Sequence, residues 1–208
     1  VYRRADASAN GHSLINEPAL WRADLNAPVG TRAMAESRAR MEIEIRDERS
    51  EDFPAVRVLN EQAFGQDQEA NIVDALRTNG AVRLSLVATR AGQVVGHILY
   101  SPITIGGALE GAALGPMSVS PHFQRQGIGS RLVRAGNARL EQAGVPYIIV
   151  LGHADYYPRF GFKPASQFGV SCEWSVTDDV FMLLVFDPTR MRGVSGRAQY
   201  RPEFSAVG

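Results

Sequence analysis

Five consecutive apolar residues, Tyr147-Ile148-Ile149-Val150-Leu151, follow a helix-like segment that ends at Gly144-Val145-Pro146. A strand with one face in water alternates polar and apolar side chains. An unbroken apolar strand reads as one covered on both faces. The segment before it, residues 127–143, places Ile128, Leu132, Val133, Ala135 and Leu140 on one side at helical spacing. A crossover helix running into a doubly covered strand implies an α/β sheet with helices above and below it.

The rest of the chain fits that frame. Residues 42–46 alternate as Glu-Ile-Glu-Ile-Arg, a half-buried strand. Ser50 or Asp52 is placed to cap a helix reaching Phe64, and a second helix spans 69–78 before Asn79-Gly80. Strands are expected at 84–89, at 94–105 with a bend at Pro102, at 112–119 and at 180–186. A helical turn is expected over 155–160, and an edge strand over 198–200. The expected order is β-α-α-β-β-β-α-β-α-β with that edge strand after it. We expect three parts. Residues 1–40 form an irregular or partly helical extension: a tail, an upstream stretch that precedes the native start, or a short helix over 18–25 docked on the domain. Residues 41–190 form the domain, and residues 191–208 a Gly- and Arg-rich tail.

Composition narrows the function classes. The 208 residues carry 22 basic and 22 acidic side chains, so the formal net charge is zero. Binding nucleic acid or anionic lipid relies on summed positive charge, so neither partner is expected. The lone Cys172 cannot form an internal disulfide, and no Cys/His cluster has metal-ligand spacing; no metal is expected. Arg3-Arg4 precedes no apolar stretch, and the longest apolar run is far too short to span a bilayer, so a cytoplasmic protein is expected.

The chemistry concentrates in residues 115–130, a strand, a short loop and then two glycines opening a helix. A helix N-terminus offers unpaired N–H groups and partial positive charge, which suits a diphosphate. Gly127 and Gly129 let such a group approach the main chain, and Arg125 and Arg131 supply nearby cations. Pro121 ends regular pairing and would free the strand edge at residues 117–119 for an extended ligand. The plainer reading is a tight helix start packed on a strand. The spacing is neither GxGxxG nor GxxxxGK[ST], which disfavours a dinucleotide fold and a nucleoside triphosphatase.

Gln124-Arg125-Gln126-Gly127-Ile128-Gly129 resembles the Q/R-x-x-G-x-G/A motif of the GNAT superfamily of acetyl-CoA-dependent N-acetyltransferases. Gly115-Pro116-Met117-Ser118-Val119 with Pro121 resembles that family's fourth strand. Leu151-Gly152-His153, Asp155 and Tyr156-Tyr157-Pro158-Arg159-Phe160-Gly161-Phe162 resemble its YhbS-like branch. The resemblance runs from about residue 41 to 204. It implies a mixed, largely antiparallel central sheet of six to seven strands with helices on both faces.

It also implies a site. The pyrophosphate of acetyl-CoA would lie on the backbone of Gln124, Arg125, Gln126, Gly127, Ile128 and Gly129, with Ser130 next in line. The pantetheine arm would pair with the strand of Met117, Ser118 and Val119, which would splay from the strand of Ile149. Tyr157 matches a tyrosine that protonates the departing thiolate; a phenol is a sensible donor there, though it can equally pack as a buried aromatic. Tyr156 reads as core or substrate wall, Phe160 and Phe162 as packing.

The acceptor amine needs a base, and Glu61, Glu69, His97, His153 and Asp155 are candidates. His153 and Asp155 lie just past a strand end and are preferred. His97 reads as a structural histidine, and Cys172 as a small hydrophobe. The expected function is direct acetyl transfer from acetyl-CoA to a primary amine in a ternary complex, with the acceptor site shaped by residues 51–80 and the segment after Phe162. The alternatives are an acetyl-CoA-binding sensor without turnover and a transferase of a longer acyl chain. An edge strand in the tail can pair across a homodimer.

Overall fold

The computed structural model describes residues 42–205. The expected extension, with its helix over 18–25, lies outside the described residues. The described residues begin with β1 (Ile43–Asp47), α1 (Phe53–Phe64) and α2 (Gln68–Thr78). Next come β2 (Leu84–Arg90), β3 (Gln93–Ile105) and β4 (Leu109–Val119), then α3 (Ile128–Gln142) and β5 (Tyr147–Leu151). Four strands finish it: β6 (Lys163–Pro164), β7 (Val170–Ser171), β8 (Phe181–Val185) and β9 (Gly196–Gln199).

The sheet order is β1-β2-β3-β4-β5-β8-β6, with β9 paired to both β3 and β7. β1 to β4 form an antiparallel meander. The α3 crossover makes β5 parallel to β4, as two strands joined through a helix require. β8 returns antiparallel to β5. The mixed, largely antiparallel sheet with helices on both faces is therefore present. Seven of its strands correspond to the expected ones; β6 and β7 add two residues each, too few for any alternation to show. β3 runs unbroken through Pro102, which pairs opposite Ala112.

Alternation along the strands sorts the core into two layers. On one face Leu86, Ile98, Tyr100, Leu114, Ile148 and Val150 pack under α3, which buries Ile128, Leu132, Val133 and Leu140. On the other, Val87 and Leu99 pack against Val56 of α1 and Val73 and Leu76 of α2. Further along that face Ile103, Ile105, Tyr147, Ile149 and Leu183 form a third cluster, closed by Ala198 of β9. Tyr147 through Val150 are all 0–1% exposed, so the apolar run is covered on both faces. Each such side chain contributes roughly 1.5–3 kcal/mol relative to exposure. The tyrosine ring at the start of the run keeps its polar end satisfied, because its hydroxyl donates to the Leu109 carbonyl at 2.7 Å.

β4 and β5 pair only at Ala112, Ala113 and Leu114, opposite Ile148, Ile149 and Val150. Pro116 follows one residue later and has no N–H to offer β5. The register on the other side shifts between Ile98 and Tyr100, after which Met117 to Val119 continue along β3. β4 thus stays with β3 and parts from β5, opening a gap in the middle of the sheet. β9, in contrast, is bonded to β3 at Thr104 and Ile105 and to β7 at Val170 and Ser171. It is an internal strand, and its pairing does not leave the free edge on which the dimer expectation rested.

Candidate functional site

The gap opens into a cavity of about 920 Å³. Every residue of 117–119 and 124–130 that the resemblance implies for acetyl-CoA lines it except Gln126, as do Tyr157, His153 and Asp155. Gln126 instead turns its side-chain amide to the His122 carbonyl at 3.2 Å. The expected splay is present, with Met117, Ser118 and Val119 on the freed side of β4.

The loop between β4 and α3 is shaped by two left-handed residues, Arg125 at φ 60° and Gly127 at φ 80°. Gly127 is the N-cap of α3, and no side chain caps the helix. The first-turn N–H groups of Ile128, Gly129 and Ser130 therefore lack intrahelical partners and are available at the cavity. That arrangement holds an anion with main-chain donors. A Cβ on Gly127 would meet nothing within 4 Å, so its backbone conformation, not crowding by protein, demands glycine. Gly129 is different: a Cβ there would stand 2.8 Å from the Tyr156 hydroxyl.

The nearby cation is not the expected one. The Arg131 guanidinium donates to the Ile43 carbonyl at 2.7 Å and serves the β1 edge. Arg159 lines the cavity instead. Its Nε donates to the Tyr156 carbonyl at 3.1 Å, and its guanidinium lies 4.4 Å from the Tyr156 ring centroid. Arg159 stood in the expected motif, but nothing in its spacing separated it from a solvated surface arginine.

Tyr157 is 6% exposed and stacks edge-on against Tyr156 at 5.1 Å and Phe162 at 5.6 Å. Burial, with Tyr156 beside it, holds its phenol well above the ordinary range, so the proton stays on at neutral pH. His153 and Asp155 are exposed residues of the cavity lining. The His153 carbonyl accepts the Tyr156 N–H at 3.0 Å and so starts the turn that carries Tyr157.

The other candidate bases lie elsewhere. His97 is wholly buried, with Nδ1 3.4 Å from the Asn60 amide nitrogen and Nε2 3.0 Å from Ser85 Oγ. Asn60 can only donate there, so Nδ1 accepts and Nε2 carries the proton. Burial and the charge of Arg77 push the ring down to about 3. Glu48 Oε1 is 3.7 Å from Nε2, but that carboxylate is already paired with Arg77, so the imidazole stays neutral. Glu61 pairs with Arg57 at 3.0 Å, and Glu69 accepts from Gln66; neither lines the cavity. Cys172 is half-buried outside the cavity lining, with its thiol raised by burial.

Besides Arg159, three lining residues were not singled out: Ala63 and Phe64 from the end of α1, within the 51–80 segment expected to shape the acceptor site, and Phe123 from the turn Pro121–Phe123. No lining residue comes from the segment after Phe162. Among the described residues no His, Cys, Asp or Glu group could hold a metal, and no helix is long and apolar enough to cross a membrane.

Comparison with known proteins agrees with this geometry. The acetyltransferase (GNAT) domain family matches residues 82–164. The uncharacterized N-acetyltransferase YhbS of Escherichia coli strain K12 is 32% identical over 156 residues, covering 74% of this chain and 93% of that protein. The crystal structure of E. coli YhbS in complex with CoA superposes with a TM-score of 0.78 at 32% identity, over 81% of this chain and 94% of that one. A GNAT family acetyltransferase from Brucella melitensis in complex with acetyl-CoA gives a TM-score of 0.67 at 40% identity, over 78% and 98%. A matching family domain, a shared fold and a relative aligned over nearly its full length lead to one conclusion: this chain belongs to the GNAT family of N-acetyltransferases.

Proposed function

We propose that this protein transfers an acetyl group from acetyl-CoA to a primary amine, directly and in a ternary complex. The observation that carries this reading is the gap between β4 and β5, whose freed β4 edge leads to the uncapped N-terminus of α3. Residues 124–130 would hold the diphosphate through main-chain N–H groups, with Arg159 adding charge. The main chain at Met117 and Val119 would pair with the amide-bearing arm. That related proteins are seen in complex with CoA and acetyl-CoA supports the assignment.

In the reaction the amine nitrogen attacks the thioester carbonyl carbon; the C–N bond forms and the C–S bond breaks. Tyr157 gives its proton to the departing sulfur, a role that suits a phenol kept protonated by burial. His153 or Asp155, at the cavity lining, takes the proton the amine must lose. A cytoplasmic setting is part of this reading.

Calorimetric titration of acetyl-CoA and CoA into the full chain, followed by thiol detection across primary amines, tests it. Binding with steady CoA release supports the reading. Binding without turnover on any amine would make the protein an acetyl-CoA-binding module. Faster release from longer acyl-CoA esters would change the donor. Absence of binding would remove the assignment.

A further inference from the structure

Resting on that reading, the geometry points to an acceptor seat formed by Ser118 and Phe64, built for a primary amine carried on an apolar stem. Side chains along β4 alternate between the two faces of the sheet. Met117 and Val119 pack into the layer under α3. Ser118 lies between them and so faces the opposite side of the sheet, where its register partner is His97 and where α1 packs. The cavity is lined by residues of both sides: Gly127 to Ser130 under the α3 layer, and Ser118, Ala63 and Phe64 under α1. It therefore passes through the gap in the sheet. If the diphosphate occupies the α3 end, the α1 end is left for the acceptor.

The α1 end has a specific polar character. Ser118 is 3% exposed, and its Oγ is buried with no hydrogen-bond partner among the described residues. A buried hydroxyl left unpaired is unfavourable, and native structures rarely keep one without a use. His97, directly opposite, does not supply the bond, because its ring nitrogens face Asn60 and Ser85. Asn60, one turn before Phe64 on α1, leaves a second buried oxygen unpaired, its Oδ1. An amine N–H donating to Ser118 Oγ would satisfy the hydroxyl and aim the nitrogen lone pair into the gap. Ser118 is thus a positioning residue.

The apolar half of the seat is Phe64. It ends α1, is 40% exposed, and presents its ring to the cavity next to Ala63. Among the described residues Asp155 is the only carboxylate that lines the cavity. A polyamine or a strongly basic peptide would find little countercharge there, whereas an alkyl or arylalkyl stem would cover the Phe64 ring.

The test uses the full chain with saturating acetyl-CoA and follows CoA release with phenethylamine, hexylamine, methylamine and spermidine. The wild type should prefer the first two. Ser118→Ala keeps the main chain of β4 and should raise KM for both about tenfold, the effect of one lost hydrogen bond. Because it removes an unpaired hydroxyl, it should not lower Tm. Phe64→Ala, at an exposed position, should raise KM for the two apolar amines about tenfold and leave methylamine unchanged. Preference for spermidine or methylamine, unchanged KM in both variants, a weakened acetyl-CoA Kd in Ser118→Ala, or acetyl-CoA binding with no turnover of either apolar amine would each overturn the acceptor seat. Failure to bind acetyl-CoA at all would instead overturn the proposed function.

Discussion

The Tyr156 hydroxyl stands 2.8 Å from the point a Cβ on Gly129 would occupy, so the second glycine of the loop makes room for a tyrosine. The Tyr156 ring cannot swing away freely, because it packs against Tyr157, Phe160 and the Arg159 guanidinium. Gly129→Ala should therefore destabilise the protein by about 1–2 kcal/mol through overpacking. Tyr156→Phe removes the offending oxygen, so the double variant should recover most of the loss. A urea-denaturation double-mutant cycle measures the coupling; strict additivity would separate the two residues.

Gly127 fails for a different reason. Its φ of 80° is unfavourable for any residue with a Cβ, by about 1–2 kcal/mol, although space is free around it. Gly127→Val should lose stability and acetyl-CoA affinity together. Gly127→Asn tolerates the left-handed conformation better, so it should keep more stability while still binding acetyl-CoA weakly. Wild-type affinity in a folded Gly127→Val sample, read by calorimetry, would move the diphosphate off this loop.

Tyr157→Phe should lower the single-turnover rate by about 10²-fold with little change in acetyl-CoA Kd. Since burial raises the phenol above its ordinary 10.0, the wild-type rate should show no alkaline loss from this group up to about that pH. The same shift has a stability counterpart. The unfolded phenol ionises near its ordinary value while the folded one resists, so stability is intact below that value and falls as pH rises past it. Tyr100, Tyr147 and Tyr200 are raised in the same direction, which should make alkaline unfolding steep. A rate unchanged in Tyr157→Phe would leave the residue as packing.

His97 sets the acid side. Its folded value of about 3 lies below the ordinary 6.5, so between these two values the unfolded chain binds a proton the folded one refuses. Stability should fall as pH drops through that window. Asp52 and Glu203 are also lowered, but from 3.8 and 4.5, so their losses begin at lower pH. Between pH 6.5 and 4.5 the slope of the urea midpoint against pH should flatten in His97→Gln. An equally steep slope in that variant would assign the titration to another group.

Much of this molecule was legible as sequence because its long elements are strongly patterned. The run from Tyr147 to Val150 reads as a doubly covered strand, and α3 carries its buried residues at helical spacing. Gly127 was readable because its left-handed backbone demands glycine, whereas the crowding of Gly129 by the Tyr156 hydroxyl shows only in the fold. What was missed depends on distance in the chain. Phe64 lies more than fifty residues from the loop it faces, and only the packing of α1 against β3 and β4 brings them to one cavity. The two arginines exchanged roles for the same reason. Arg131 is nearer the loop in sequence but reaches back to β1, while Arg159 arrives from the turn after β5. Two-residue strands such as β6 and β7 have no pattern to read.

In the proposed reading, the gap between β4 and β5 divides labour between main chain and side chain. Where the donors are backbone N–H groups of α3 and the edge of β4, recognition survives most replacements of the residues that supply them. In the proposed acceptor seat at the far end of the same passage, selection falls to side chains, Phe64 of α1 among them. A donor built into the scaffold and an acceptor read by exchangeable side chains can diverge independently. Transplanting the α1–α2 hairpin of a relative onto this sheet should therefore transfer its choice of amine while the thioester stays the same.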